Sequence, residues 1–192
     1  MENINVVKRG SRGKEPLNIE KIHEMVDYAC EGIAAVSSSQ VEMKSGLQFT
    51  DGITTNDIQQ ILIKSAADLI SLDNPNYQYV AARLLLYSLR KHVFGKHTAA
   101  EAHMPLRFFV GTNVERGVYD RSILSKYSDD EWKRLDSYIK HDRDLNFTYA
   151  GLRQVVDKYL VQDRSSTDIY ETPQYMYTVS YTHLTLPTTP YV

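Results

Sequence analysis

Residues 74–95, NPNYQYVAARLLLYSLRKHVFG, carry the signals of one complete helix. Asn74 is placed to cap its start, and Pro75 suits the first helical position, where a backbone N–H would lack a partner anyway. Gly95 can adopt the left-handed conformation that ends a helix. The helix closes in a basic cluster, residues 90–92. Apolar side chains recur at helical spacing and predict one buried face, made of Tyr79, Ala82, Leu86, Leu89 and Val93.

The sequence before this helix predicts a β-hairpin and three further helices. Short apolar stretches at residues 5–9 and 15–19 flank a turn-rich segment, which is typical of a hairpin. The predicted helices cover residues 19–36 after the cap Asn18, a segment from the serines at 37–39 to the Asp51-Gly52 pair, and a segment that begins at residues 54–57 with Thr55 as its cap. The predicted fold is therefore mainly α, a hairpin on four helices that ends near Gly95.

A second region follows a polar segment at residues 96–100, which is a predicted linker. Helices are predicted at residues 102–117, 120–126, 129–140 and 147–158, a second hairpin between residues 159–162 and 168–171, and a last helix that opens at Pro173. The third of these helices begins with a capping box, Ser128 followed by Glu131.

Composition excludes several classes of protein. The 192 residues carry a net charge of −2, so no global field attracts nucleic acid or a membrane surface. No apolar run approaches the roughly 20 residues that span a bilayer, and the N-terminal residues do not resemble a signal peptide. The single cysteine, Cys30, excludes a disulfide framework and a cysteine-rich metal site. We therefore expect a cytoplasmic protein without nucleic acid or membrane partners.

Several segments together resemble a known family. Lys8-Arg9, NIEKIHEMVDYACEG at 18–32, DGITTNDIQ at 51–59 and the helix at 77–95 resemble the ATP-cone domain. IKHDRD at 139–144, KYLVQ at 158–162 and IYE at 169–171 resemble the start of the catalytic domain in the large (α) subunit of class I ribonucleotide reductases. The resemblance covers about residues 5–178. It implies an ATP-cone domain at residues 1–95 and an incomplete catalytic domain at 101–178.

The resemblance implies a regulatory function for this chain. In the family, ATP bound to the cone keeps the enzyme active, and dATP bound there inhibits many members. Mg²⁺ is expected to accompany the nucleotide. The enzyme reduces ribonucleoside diphosphates to deoxyribonucleoside diphosphates for DNA synthesis, as a homodimer of large subunits with a small (β) subunit that holds the radical metallocofactor. Cys30 matches no catalytic cysteine of the family, so no catalytic residue is expected here.

The resemblance also implies a set of nucleotide-binding residues. Taken alone, the lysines are solvated charges, Asn18 and Thr55 are caps, and Leu17 and Ile22 are core residues. Gln59 stands where the family often has histidine, and Tyr87 where it often has phenylalanine. Because Gln59 cannot become cationic, we predict activation by ATP with only weak inhibition by dATP. The implied set is Lys8, Arg9, Glu15, Leu17, Asn18, Lys21, Ile22, Thr55, Gln59, Tyr87 and Lys91.

The resemblance stops at about residue 178. VSYTHLTLPT at 179–188 looks like the translation of a transposase-type sequencing adapter, so residues 179–192 are predicted to be a non-native tail. The alternative is a genuine polar tail without regular structure.

Two further functions remain open: a stand-alone ATP-cone regulator, for which one cysteine cannot build the expected zinc ribbon, and a helical interaction module without a ligand.

Overall fold

The computed structural model describes residues 4–7, 13–95, 103–163 and 165–184, and it is mainly α as predicted. Its helices are α1 (Ile19–Cys30), α2 (Ser38–Gly46), α3 (Thr55–Ala67), α4 (Tyr77–Phe94), α5 (Leu106–Glu115), α6 (Ile123–Lys126), α7 (Asp129–Tyr138), α8 (Tyr149–Lys158) and α9 (Pro173–Leu184), with a 3₁₀ helix at His141–Asn146. Two compact units result, Met1–Ser88 with Leu145–Arg153 and Leu89–Asp144 with Gln154–Val192. The domain limits given above stay predictions.

A small sheet opens the first unit. Strand β1 (Asn5–Val7) pairs antiparallel with β2 (Lys14–Pro16), so the predicted hairpin is confirmed. A third strand, β3 (Ile53–Thr54), pairs parallel with β1 and gives the order β2-β1-β3. This strand was not predicted, because two residues are too few to show an alternating pattern.

The first two helices are shorter than predicted. Helix α1 ends at Cys30 and not at residue 36, because Gly32 has a φ of 70° and leaves the helical conformation there. Arg83 Nη1 donates to the carbonyl oxygens of Ala29 at 3.3 Å and Glu31 at 2.6 Å, which satisfies carbonyl groups at the end of α1. Helix α2 ends at Gly46, so Leu47, 86% exposed, does not extend its apolar stripe.

Helix α4 begins two residues later than predicted and is buried on more than one face. Asn74 donates its backbone N–H to Ser71 Oγ at 3.1 Å, and residues 75 and 76 form a turn before the first helical residue, Tyr77. Gly95, with a φ of 75°, ends the helix as predicted. A helix that is buried on more than one face lies within a core. The buried residues of α4 are Tyr77, Val80, Ala81, Ala82, Leu84, Leu85, Leu86, Tyr87, Leu89 and Arg90.

The second unit has its own aromatic core. The rings of Phe109 in α5 and Tyr175 in α9 stack with centroids 3.9 Å apart, and Tyr175 donates its hydroxyl to the Met104 carbonyl at 2.6 Å. Helix α5 starts at Leu106, after Pro105, and is shorter at both ends than predicted. The core consists of Leu106, Phe109, Val110, Tyr119, Ile123, Trp132, Tyr175 and Val179.

Several local predictions for this unit are confirmed. The capping box is formed, with Ser128 and Glu131 each bonded to the other's backbone N–H. Strands β4 (Gln162–Asp163) and β5 (Asp168–Ile169) form the second hairpin. Helix α9 begins at Pro173 and continues past residue 178 to Leu184, so a tail without regular structure is wrong for those residues. The non-native origin of residues 179–192 stays a prediction.

The described helices also bear on membrane association. None of them combines the length and the apolar content that crossing a bilayer requires.

Candidate nucleotide-binding site

The first unit holds most of the predicted nucleotide-binding residues. Lys8 and Arg9 lie outside the described residues. Lys91 belongs to the second unit, and the other eight belong to the first. The eight fall on three segments, which are the end of β2 with the start of α1, the start of α3, and the middle of α4.

The sheet register brings two of these segments to the same strand. Glu15 of β2 and Ile53 of β3 both pair with Val6, one on each side of it. Neighbouring strands lie about 4.8 Å apart, so the chains that lead into α1 and α3 are separated by about 10 Å. That separation lets groups on both segments contact one molecule of nucleotide size.

The start of α1 is built as predicted. Asn18 Oδ1 accepts a hydrogen bond from the Lys21 backbone N–H at 3.1 Å, so Asn18 caps the helix. The Lys21 side chain is exposed in the first turn, next to Glu20. Unpaired N–H groups at a helix start attract an anion, and an exposed lysine adds charge there.

The two apolar residues of this segment differ in exposure. Leu17 is half-buried and donates its backbone N–H to the Ile4 carbonyl at 2.9 Å. Ile22 is 8% exposed and belongs to the core. Glu15 is exposed on β2. Of these three, Glu15 and Leu17 have surface that a ligand could contact, whereas Ile22 is largely covered.

The cap of α3 is Thr54 and not Thr55. Thr54 Oγ1 accepts from the Asp57 backbone N–H at 3.1 Å and donates to Asp57 Oδ2 at 2.7 Å. The prediction was wrong by one residue because Thr54 is the extended end of β3, with a ψ of 155°, and an extended residue is what a cap requires. Thr55 is the first helical residue, half-buried, and its hydroxyl is not the capping group.

One face of α1 connects the three segments. Asn18, Lys21, Met25 and Tyr28 follow one another at intervals of three and four residues, so they share that face. Gln59 of α3 donates Nε2 to Met25 Sδ at 3.4 Å. The Tyr87 ring of α4 stacks on Tyr28, with centroids 5.1 Å apart and planes at 29°. Gln59 and Tyr87 therefore both lie against the face that carries Lys21.

Met25 and Tyr28 were missed by the sequence reasoning. Both contact predicted site residues, and both lie at helical spacing from Lys21. That spacing was a usable signal, because it places the two side chains on the Lys21 face whatever their chemistry.

The basic end of α4 does not form one charged surface. Arg90 is fully buried and donates Nη2 to the His141 carbonyl at 2.9 Å. His92 Nε2 accepts from the Ile169 backbone N–H at 3.2 Å and lies 3.4 Å from Asp168 Oδ1. Both side chains serve the packing of the second unit. Lys91 is the exposed residue of the three.

Cys30 has the features of a packing residue. It is half-buried at the end of α1, and burial raises the pKa of its thiol to about 11. A thiol with so high a pKa forms little thiolate at neutral pH, and the thiolate is the nucleophile. The predicted structural role for Cys30 agrees with this environment.

Comparison with known proteins agrees with the resemblance. Residues 4–92 match the ATP cone domain family. The chain is 47% identical over 176 residues to ribonucleoside-diphosphate reductase 1 subunit alpha of Salmonella typhimurium. This match covers 92% of this chain and 22% of that protein. The corresponding protein of Escherichia coli is 46% identical over the same length. The subunit alpha of Enterobacteria phage T4 is 44% identical over 180 residues, again 92% of this chain.

The chain spans about a fifth of the length of these relatives, since 22% or 23% of each is covered. The matched cone segment contains α1, α3 and almost all of α4, which carry the residues described above. Residues 4–92 thus match the ATP cone domain family, and over most of its length the chain is similar to ribonucleoside-diphosphate reductase α subunits.

Proposed function

We propose that this chain is the regulatory, nucleotide-binding part of a ribonucleoside-diphosphate reductase α subunit, and that its cone binds ATP as an allosteric effector. The cone match and the similarity to α subunits support the proposal. The observation that carries it is the α1 face on which Lys21 lies in line with the contacts of Gln59 and Tyr87. The Lys21 cation at the helix start, with the 40% exposed Tyr28 ring and the half-buried Gln59 amide beyond it, offers partners for phosphate at one end and for a nucleoside at the other. Tyr87 is fully buried and supports the Tyr28 ring by stacking on it.

The proposed roles follow from the chemistry of each residue. Lys21 binds phosphate oxygens. Lys8, Arg9 and Lys91 are proposed to bind them as well, on the resemblance alone. Asn18 and Glu15 offer hydrogen-bonding groups to the base or sugar. Because Thr54 is the cap of α3, the Thr55 hydroxyl at the start of that helix can bind the nucleotide. Mg²⁺ accompanies the triphosphate, since it prefers phosphate oxygens and water as ligands.

The reduction itself belongs to the rest of the proposed enzyme. Cys30 is the one cysteine of this sequence, and its raised pKa leaves little thiolate for disulfide exchange at neutral pH. The proposed full subunit reduces ribonucleoside diphosphates, forms a homodimer and works with a β subunit that holds the radical metallocofactor. This chain alone is expected to be inactive.

The binding test uses the 192-residue chain and titration calorimetry with ATP and with dATP in the presence of Mg²⁺. Lys21→Ala should weaken ATP binding about tenfold or more, because a hydrogen bond to a charged group contributes about 1.5–3 kcal/mol. Lys64→Ala is the matched control, since Lys64 is also an exposed lysine of the first unit and lies in the last turn of α3.

The outcomes separate the alternatives. Loss of affinity in Lys21→Ala with an unchanged Lys64→Ala supports the proposed site. Equal effects of the two substitutions would indicate diffuse charge attraction. If the unmodified chain fails to bind ATP at millimolar concentration, the nucleotide function is wrong, and a helical interaction module without a ligand becomes the better description.

A further inference from the structure

A histidine and two carboxylates meet on the surface of the first unit, away from any role described above. We propose that His23, Asp27 and Glu42 form a divalent transition-metal site that joins α1 to α2 and takes Zn²⁺ or a similar ion. The proposal does not depend on nucleotide binding, because none of the three belongs to the predicted nucleotide set.

The backbone brings the three side chains together. His23 and Asp27 are one turn apart on α1, at positions i and i+4, and therefore project from the same face. Glu42 comes from α2, which packs beside α1. His23 Nδ1 lies 2.7 Å from Glu42 Oε1, and His23 Nε2 lies 3.1 Å from Asp27 Oδ2. The imidazole thus already bridges the two helices.

The charge of the cluster favours a cation. With a neutral imidazole the three groups carry a charge of about −2 at neutral pH, from the two carboxylates. Among the described residues, His23 is the ion-pair partner of both carboxylates. Glu24 adds a further negative charge nearby. A divalent ion carries twice the charge of a protonated imidazole and would therefore neutralise the two carboxylates more fully.

The distances require a small closure, which the exposed side chains of His23 and Asp27 and the half-buried side chain of Glu42 allow. One ligand atom from each residue can be chosen so that all three lie within 4.8 Å of one another. Ligand atoms of a tetrahedral zinc ion lie about 3.5 Å apart, given ligand distances of about 2.1 Å. Rotation about side-chain bonds closes the difference of about 1 Å without moving the helices. Water completes the coordination, because three protein ligands leave a tetrahedral position open.

The donor set selects the kind of metal. An imidazole nitrogen favours zinc and neighbouring transition metals, whereas Mg²⁺ prefers oxygen ligands alone. The expected site therefore differs from the Mg²⁺ proposed to accompany a nucleotide.

The test is Zn²⁺ titration of the 192-residue chain by calorimetry, without nucleotide or chelator. We expect one site, with affinity at least tenfold weaker in His23→Gln and in Glu42→Gln. Glu24→Gln is the matched control, because it removes an equal charge from the same surface without removing a ligand, and we expect less than a threefold change. Circular dichroism of each variant verifies that it is folded.

A second readout addresses the link between the helices. Zn²⁺ should raise the Tm of the unmodified chain and leave that of His23→Gln unchanged, since a ligand stabilises the state that binds it. The proposal is overturned if the unmodified chain binds no Zn²⁺, if His23→Gln binds it equally well, or if Glu24→Gln weakens binding as much as Glu42→Gln does. None of these results bears on ATP binding, which the Lys21 variants test separately.

Discussion

Gln59 is the residue whose chemistry most constrains the proposed regulation. Its amide contacts Met25 on the face of α1 that carries Lys21, and it offers a donor and an acceptor but no charge. The expectation that dATP inhibits the parent enzyme only weakly rests on that lack of charge. At the residue scale, the identity of one side chain decides how strongly a site attracts a phosphate group, even where the backbone conformation is the same.

Gln59→His is expected to make nucleotide binding stronger and dependent on pH. A protonated imidazole attracts phosphate, so affinity should rise about threefold to tenfold as the pH falls from 8 to 6, whereas the unmodified chain shows a smaller change. Titration calorimetry with dATP at both pH values measures the difference. Gln60→His, on the exposed side of α3, is the control and should leave the pH dependence unchanged. A similar response of both variants would contradict a local role for residue 59.

Capping decides how the helices begin, and it could be read from the sequence to within a residue. Asn18 and Ser128 are caps as predicted, Asn18 because it directly precedes an apolar-periodic segment and Ser128 because Glu131 follows it at the spacing of a capping box. Thr54 and Thr55 offered two equivalent hydroxyls, and the choice between them depended on β3, a strand formed through a partner 47 residues earlier in the chain, Val6. At the scale of elements, local signals predict where a helix starts unless a tertiary partner competes for the same residues.

Ser128→Ala is expected to destabilise the second unit by about 1 kcal/mol, because it removes the hydrogen bond to the Glu131 backbone N–H and leaves that donor without its cap. Urea denaturation followed by circular dichroism measures the loss. Ser122→Ala is a close control, since Ser122 precedes α6 without forming a side-chain cap. Equal losses in the two variants would show that the capping box contributes nothing specific.

At the scale of the whole molecule, burial shifts the pKa of titratable side chains that no local sequence pattern indicated. His103 and His141 stack with centroids 3.2 Å apart and planes at 4°. Burial first, and then the Arg90 charge, lowers the pKa of His103 to about 4, while Asp142 opposes the shift. Burial, His103 and Arg90 lower the pKa of His141 to about 3. In the same unit burial raises the pKa of Asp144 to about 6, and Gln174 Nε2 donates to its Oδ1 at 3.1 Å.

These shifts give opposite contributions to the pH dependence of stability. A histidine with a lowered pKa binds fewer protons folded than unfolded, so its contribution is lost as the pH falls from about 6.5 towards the folded value. Asp144 binds more protons folded, so its contribution is lost as the pH rises from about 4 to 6. Acid therefore destabilises through the histidines and stabilises through the carboxyl group.

His103→Phe isolates the histidine contribution while keeping a ring in the stack. The variant should lose less stability than the unmodified chain when the pH falls from 7 to 5, by about 1 kcal/mol, a value reduced because the ring is only half-buried. Urea denaturation at both pH values measures this difference. Parallel pH dependence of the two proteins would mean that His103 is already hydrated in the folded state.

Sequence patterns alone determined the helical class, the two hairpins and most helix starts, because periodicity, caps and turns act over a few neighbouring residues. Tertiary structure alone decided the fate of the basic end of α4, where Arg90 and His92 turn to packing partners 51 and 76 residues away and Lys91 remains exposed. It also decided that α4 is buried on several faces and that β3 exists. Those outcomes depend on contacts between distant segments, and a local pattern contains no information about which distant segment will arrive.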